Sequence, residues 1–160
     1  MKPSGNLTLR AITLVAAAIG CGSMANLMLP SAIPWVGDWE HYIEAKALEA
    51  GISLANVHQA FDMVRSGRYV VLDARSATDY ETGHIPGAMS LPREALDESF
   101  GDVEMFLSPE LPILTYCSGL ECEESLEISV YLLDMGFTNI VLFAGGIRAW
   151  EAAGYGLEGP

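Results

Sequence analysis

Three short, almost wholly apolar runs recur along the chain: Tyr69-Val70-Val71-Leu72, Ile113-Leu114-Thr115-Tyr116 and Ile140-Val141-Leu142-Phe143. Such a run has no wet face, so it fits a strand covered on both sides. Between the runs lie stretches with helical character. Residues 42–50, YIEAKALEA, read as a short helix ended by Gly51. Ser53 is the expected N-cap of a helix through Val64, closed by Ser66-Gly67. Residues 76–82 predict one or two helical turns, Ala88-Met89-Ser90-Leu91 a strand stopped by Pro92, and 93–98 and 102–107 helical pieces. A helix is predicted from Glu123 to Met135, with Leu126, Ser129, Val130 and Leu133 as its sheet-facing stripe and Gly136 as its stop. After Gly145-Gly146, a last helix runs from Ile147 to Ala153. Strands alternating with helices predict an open, mainly parallel α/β sheet with helices on both faces.

The amino terminus is a different kind of segment. Residues 11–29, AITLVAAAIGCGSMANLML, carry no charge; Lys2 and Arg10 precede them, and Asp38 and Glu40 follow. The length suits one tilted membrane helix, and the charge order puts the domain on the outer, periplasmic or extracellular, side. Three membrane-directed readings stay open: an uncleaved anchor, a signal peptide cut after Ser23-Met24-Ala25, or a lipoprotein signal with Cys21 lipidated. A buried helix of a soluble domain is the plain alternative. Pro30, Pro34 and Gly37 end the segment, and Trp35 and Trp39 suit either a membrane interface or the domain surface.

The net charge of −13, from 8 basic and 21 acidic residues, argues against nucleic acid. It also repels small anions, so an anionic substrate needs local help from backbone dipoles or the few arginines. Three cysteines, Cys21, Cys117 and Cys122, do not make a disulfide framework.

Cys117 stands at the carboxyl end of a predicted strand, where open α/β sheets bind ligands. The loop Cys117-Ser118-Gly119-Leu120-Glu121-Cys122 leads into the helix at Glu123. Gly119 is expected to allow a tight turn, so that successive amides and the helix amino terminus converge on the Cys117 sulfur and favour its thiolate. Without those groups, Cys117 would be a small buried hydrophobe at a strand end.

Two further segments carry more information. Residues 72–88, from Leu72-Asp73-Ala74-Arg75 through Gly83-His84-Ile85-Pro86-Gly87-Ala88, resemble the amino-terminal signature of rhodanese domains. Phe143-Ala144-Gly145-Gly146-Ile147-Arg148-Ala149-Trp150, followed by Gly154, is similar to their carboxyl-terminal signature, and Cys117 lies between the two. The resemblance spans residues 53–157, and it divides the chain into an anchor or signal segment (1–29), a linker with a short helix (30–52) and a rhodanese domain (53–157). It implies the rhodanese fold and sulfurtransferase chemistry. A donor such as thiosulfate, a polysulfide or a persulfide passes sulfane sulfur to Cys117, and a thiol, cyanide or partner protein takes it away. Residues Ser118 to Cys122 would cradle the persulfide, with no cofactor and no metal. Asp73 and Arg75 are expected to form a charge-assisted pair, His84 to be structural, Gly145 and Gly146 to let the chain pass close to the loop, and Trp150 to lie in the core.

The sequence departs from the family pattern in two ways. Many members carry a cation in or just after the loop; here those positions are Glu121, Cys122, Glu123 and Glu124, and no cation lies between Arg93 and Arg148. That disfavours thiosulfate relative to a polysulfide or protein persulfide. It also disfavours phosphatase or arsenate reductase chemistry, which needs cationic stabilisation of its oxyanions. The acids at 123 and 124 have a plain role as first-turn helix stabilisers. Second, Cys122 is a candidate resolving thiol, able to attack a Cys117 persulfide or sulfenic acid and close a disulfide. A non-enzymatic redox sensor or docking module on the same fold is the alternative function.

Overall fold

The computed structural model describes residues 5–28 and 41–159, which fall into two units. The first holds one helix, α1 (Gly5–Met28). Its stretch Thr8–Met28, 21 residues, is long and apolar enough to cross a membrane or serve as a signal segment; at 1.5 Å per residue that covers roughly 30 Å. Thr13 Oγ1 donates to Leu9 O and Ser23 Oγ to Ile19 O, both at 2.8 Å, so these hydroxyls are satisfied inside the helix. The expectations for Pro30, Pro34, Gly37 and the two tryptophans lie outside the described residues.

The second unit is built on a five-stranded sheet. Its strands are β1 (Ser53–Leu54), β2 (Val70–Asp73), β3 (Ala88–Ser90), β4 (Ile113–Tyr116) and β5 (Ile140–Phe143). All pairs are parallel, in the order β1-β5-β4-β2-β3. Around it lie α2 (Tyr42–Glu49), α3 (Val57–Ser66), α4 (Ala77–Thr82), a 3-10 turn (Arg93–Ala95), α5 (Leu96–Glu104), α6 (Glu124–Asp134) and α7 (Gly146–Ala152).

The predicted mainly parallel α/β sheet with helices on both faces is the one observed. Strand alternation sorts the core. Leu72, Ile113 and Leu142 join Ile43, Phe100, Ile128 and Leu132 on one face. Val71, Leu114, Val141 and Phe143 join Ala60, Ile147 and Trp150 on the other. Because β4 alternates, Ile113 and Cys117 lie on the α6 face and Leu114 and Tyr116 on the α7 face.

Several local expectations are corrected. Ser53 is not a cap; Ser53 and Leu54 pair with Val141 and Leu142 as an edge strand. The cap is Asn56, whose side chain accepts from the amides of His58 and Gln59 while Gln59 Oε1 accepts from Asn56 N. This reciprocal box satisfies orphan amides that Ser53 would leave open. The two helical pieces expected at 93–98 and 102–107 are one 3-10 turn running into one helix. On α6 the fully buried stripe is Ser125, Ile128, Ser129 and Leu132, whereas Val130 is 37% exposed. The rotation suits the hydroxyls: Ser129 Oγ lies 2.7 Å from Thr115 Oγ1 on β4 and donates to Ser125 O at 2.7 Å. The short helix expected at 42–50 is α2, whose Ile43 and Ala47 are buried in the core.

Candidate active site

Residues Cys117 to Cys122 join the end of β4 to the start of α6. Three layers hold this loop. Beneath it, Asp73 at the end of β2 is fully buried and anchors a polar cluster. Arg75 Nε donates to both Asp73 oxygens (3.0 and 3.1 Å), and its Nη2 reaches Asp73 Oδ2 at 2.6 Å and Gly83 O at 2.8 Å. The Tyr116 hydroxyl donates to Asp73 Oδ2 at 2.6 Å and accepts from Ile85 N at 3.0 Å. Burial, then the Asp73 charge and hydrogen bond, push the Tyr116 phenol far up from its ordinary value. Burial opposes the Arg75 cation, but Asp73 and Tyr116 together more than offset this and the net shift is upward.

The second layer is the glycine pair before α7. Gly146 has φ +57°, and a Cβ there would collide with Cys117 O and stand 2.8 Å from Gly119 N. That close approach lets Ile147 N donate to Cys117 O (2.9 Å) and Arg148 N to Ser118 O (3.2 Å). Gly119 begins the turn that Cys122 N closes onto its carbonyl, and this turn does not require a glycine. The Gly119 backbone is not left-handed, and a Cβ would meet Arg148 Cδ and Gly145 O at 3.5 and 3.6 Å, ordinary contacts. The residue that needs to be glycine at this crossing is Gly146.

The third layer is the loop itself. Cys122 N donates to Gly119 O at 3.0 Å. Among the described residues, no protein group accepts the amides of Ser118, Gly119, Leu120 or Glu121. Cys117 and Cys122 are joined as a disulfide, so the structure shows the loop without a Cys117 thiolate. Cys117 Sγ lies 3.9 Å from Ser118 Oγ and 3.7 Å from Glu124 Oε2; Cys122 Sγ lies 2.6 Å from the same carboxylate oxygen. Leu120 and Glu121 are exposed.

Cys117 and Cys122 line a cavity of about 320 Å³, together with Ala74, Arg75, Ser76, Asp79, Arg93, Glu94, Ser118 and Glu124. Two arginines distant in sequence thus line the cavity, each already paired with a carboxylate, Arg75 with Asp73 and Arg93 with Glu127. Arg75 comes from the β2 end and Arg93 from the 3-10 turn, the latter held at 2.6 Å by Glu127 of α6. Three carboxylates, Asp79, Glu94 and Glu124, face them. Glu124 is also more than a first-turn helix stabiliser, since it touches both sulfurs. Its one sequence signal is position, two residues beyond Cys122. The two sulfurs and this carboxylate lie within 4.8 Å of one another, a closer gathering of donor groups than the spacing predicted. With the sulfurs bonded to each other there is no thiolate pair to offer a metal, and none is assigned.

His84 lies outside this cavity. Its ring stacks on Tyr80 at 3.8 Å, its Nδ1 is 3.0 Å from Tyr80 O, and its backbone bridges to Glu158. Burial and the charges of Glu158 and Asp73 push the Tyr80 phenol up as well. Trp150 is buried, with Nε1 donating to Gly156 O at 2.9 Å.

Residues 56–153 match the family profile of the Rhodanese-like domain. The chain belongs to that family. Its rhodanese-like domain is 27% identical over 99 residues to the thiosulfate sulfurtransferase GlpE of Shewanella oneidensis, a match covering 61% of this chain and 91% of that protein. In structure it is similar to the BH2092 protein of Bacillus halodurans, with TM-score 0.61 and 26% identity over 72% of this chain and 83% of that one. It is also similar to the Alr3790 protein of Anabaena, with TM-score 0.57 and 29% identity over 66% and 91% of the two chains. The rhodanese-like fold and a sulfurtransferase affiliation at family level are thereby established.

Proposed function

We propose that this protein is a sulfurtransferase that carries sulfane sulfur as a persulfide on Cys117. The carrying observation is the position of Cys117: at the carboxyl end of a central parallel strand, facing a cavity that also holds two arginines. A donor of the form R–S–S⁻ delivers its terminal sulfur to the Cys117 thiolate and departs as R–S⁻; an acceptor thiol or cyanide then attacks the outer sulfur. In the reduced loop the unpartnered amides of Ser118 to Glu121, with the amino terminus of α6, are the groups available to hold the anionic sulfur. Arg75 and Arg93 offset part of the chain's negative charge where an anionic donor such as thiosulfate would enter. Residues 8–28 would hold the domain at a membrane, facing the periplasm or cell exterior, unless a signal peptidase removes them.

The test is intact-mass analysis of the full-length, detergent-solubilised protein after reduction and exposure to thiosulfate or polysulfide. A gain of one sulfur atom, absent in Cys117→Ser, supports the proposal. No gain with either donor refutes it. The disulfide itself favours a second reading, a thiol redox sensor without transfer activity. That reading expects reversible closure of Cys117–Cys122 at the compartment's redox poise with no sulfur bound at any stage.

A further inference from the structure

Cys122 and Glu124 have no assigned part in a one-cysteine transfer cycle. Yet both touch the reacting sulfur or its partner. The Cα atoms of Cys117 and Cys122 are 6.1 Å apart, inside the range that a disulfide spans without backbone movement. Both cysteines are almost wholly buried, at 4% and 7% exposure, so a bulky acceptor thiol must compete with a neighbour that is already in place. An intramolecular attack of that kind costs no association entropy. The carboxylate is not placed evenly. In the oxidised loop Glu124 Oε2 is 2.6 Å from Cys122 Sγ and 3.7 Å from Cys117 Sγ, so once the disulfide is reduced the carboxylate stands nearer the Cys122 thiol.

We infer that Cys122 resolves the Cys117 persulfide and that Glu124 accepts the Cys122 proton, so that this domain releases its sulfur as sulfide. The inference rests on the proposed persulfide at Cys117 and adds its fate. The Cys122 sulfur attacks Cys117 Sγ as its proton passes to the Glu124 carboxylate. The Cys117 Sγ–S bond breaks, and its electron pair leaves with the outer sulfur as hydrosulfide. The sulfane sulfur is reduced by two electrons, and the two cysteine sulfurs are oxidised to the disulfide seen here. The proton then passes from Glu124, which lies near both sulfurs, to the departing sulfur, so persulfide anion and Cys122 thiol together give the disulfide and hydrosulfide. A dithiol reductant, from a protein or a small molecule, then opens the disulfide through a mixed disulfide and resets both thiols. The substrate class is therefore a sulfane donor on one side and a dithiol on the other, with sulfide as product.

The experiment is a single loading of full-length, reduced protein with polysulfide, excess donor and reductant removed. Sulfide, free thiols and intact mass are followed with time. Wild type is expected to gain one sulfur, then release one equivalent of sulfide as both thiols disappear. Cys122→Ser is expected to keep the sulfur it gains, with sulfide release per loaded sulfur at least about a thousandfold slower. With release normalised to the sulfur each variant has loaded, Glu124→Gln is expected to release sulfide about a hundredfold more slowly, with Glu124→Asp recovering much of the rate. A wild-type persulfide as long-lived as that of Cys122→Ser overturns the inference while leaving the Cys117 persulfide standing. Equal release by wild type and Glu124→Gln overturns the carboxylate's role. Failure of Cys122→Ser and wild type alike to take up sulfur overturns the persulfide reading, and the resolving step with it.

Discussion

Substituting alanine at Gly146 tests whether the crossing of α7 under the loop is what fixes Cys117. At φ +57° an alanine pays about 1 kcal/mol for a left-handed backbone. Its Cβ also collides with Cys117 O and crowds Gly119 N and Ser118 C, at 2.8 and 2.9 Å. These are backbone atoms that cannot swing away, so the loop must lift. Lifting breaks the bonds from Ile147 N to Cys117 O and from Arg148 N to Ser118 O, each worth about 1 kcal/mol. The sum is about 3 kcal/mol, which for a domain of this size lowers Tm by roughly 10–15 °C. Gly119→Ala is the matched control: its Cβ meets nothing nearer than 3.5 Å, and the expected cost stays within about 1 kcal/mol. Thermal unfolding of both reduced variants by near-ultraviolet circular dichroism reads the contrast. A Gly146→Ala protein that melts within about 2 °C of wild type, or a Gly119→Ala protein that melts lower than it, refutes the reasoning.

Other outcomes follow from the same geometry. Ile128→Ala, at a fully buried position, should cost about 2–5 kcal/mol in denaturant unfolding, whereas Val130→Ala at 37% exposure should stay within about 1 kcal/mol; equal costs would return the sheet-facing stripe to where the sequence put it. Tyr116→Phe strips a bond from buried Asp73 and the acceptor from Ile85 N, for a loss of about 2–3 kcal/mol at neutral pH, read as a lower denaturant midpoint at unchanged slope. Because the folded phenol titrates above the unfolded one, its contribution is complete below pH of about 10 and fades as pH rises further, when only the unfolded chain gives up the proton; the alkaline fall in stability should be shallower in Tyr116→Phe, and an unchanged slope would remove Tyr116 as its source. Arg93→Ala removes a half-exposed ion pair with Glu127 worth at most about 1 kcal/mol of stability, yet it should raise KM for thiosulfate about tenfold, the equivalent of one charge-assisted hydrogen bond. Equal KM values in a steady-state assay would show that the arginine does not meet the donor.

What the chain determines by itself is the part of the problem that is local. Ile113–Tyr116 and Ile140–Phe143 are four-residue apolar runs, and a backbone with no polar face to offer has little choice but to be covered on both sides, so these strands fall where their residues put them. Ser66-Gly67 and Gly136 end their helices for equally local reasons. Cys117, at the end of such a run and ahead of a helix, could be picked out as the site from those two facts and the flanking signatures. The tertiary structure alone decided the rest, because it concerns groups distant in sequence. The sheet-facing side of α6 centres on Ile128 and Leu132 and not on Val130 and Leu133, and two stripes one residue apart have the same period in the sequence. Ser53 and Leu54 became a strand because β5 offers them a ladder, which no local pattern announces. The site's charge was the largest surprise. Read along the chain the loop has acids and no cation; folded, the crossovers bring Arg75 and Arg93 beside Cys117 and turn Glu124 onto the sulfurs. Coulomb interactions depend on distance in space, and a parallel sheet gathers the ends of its strands and their loops at one edge however far apart they lie in the sequence.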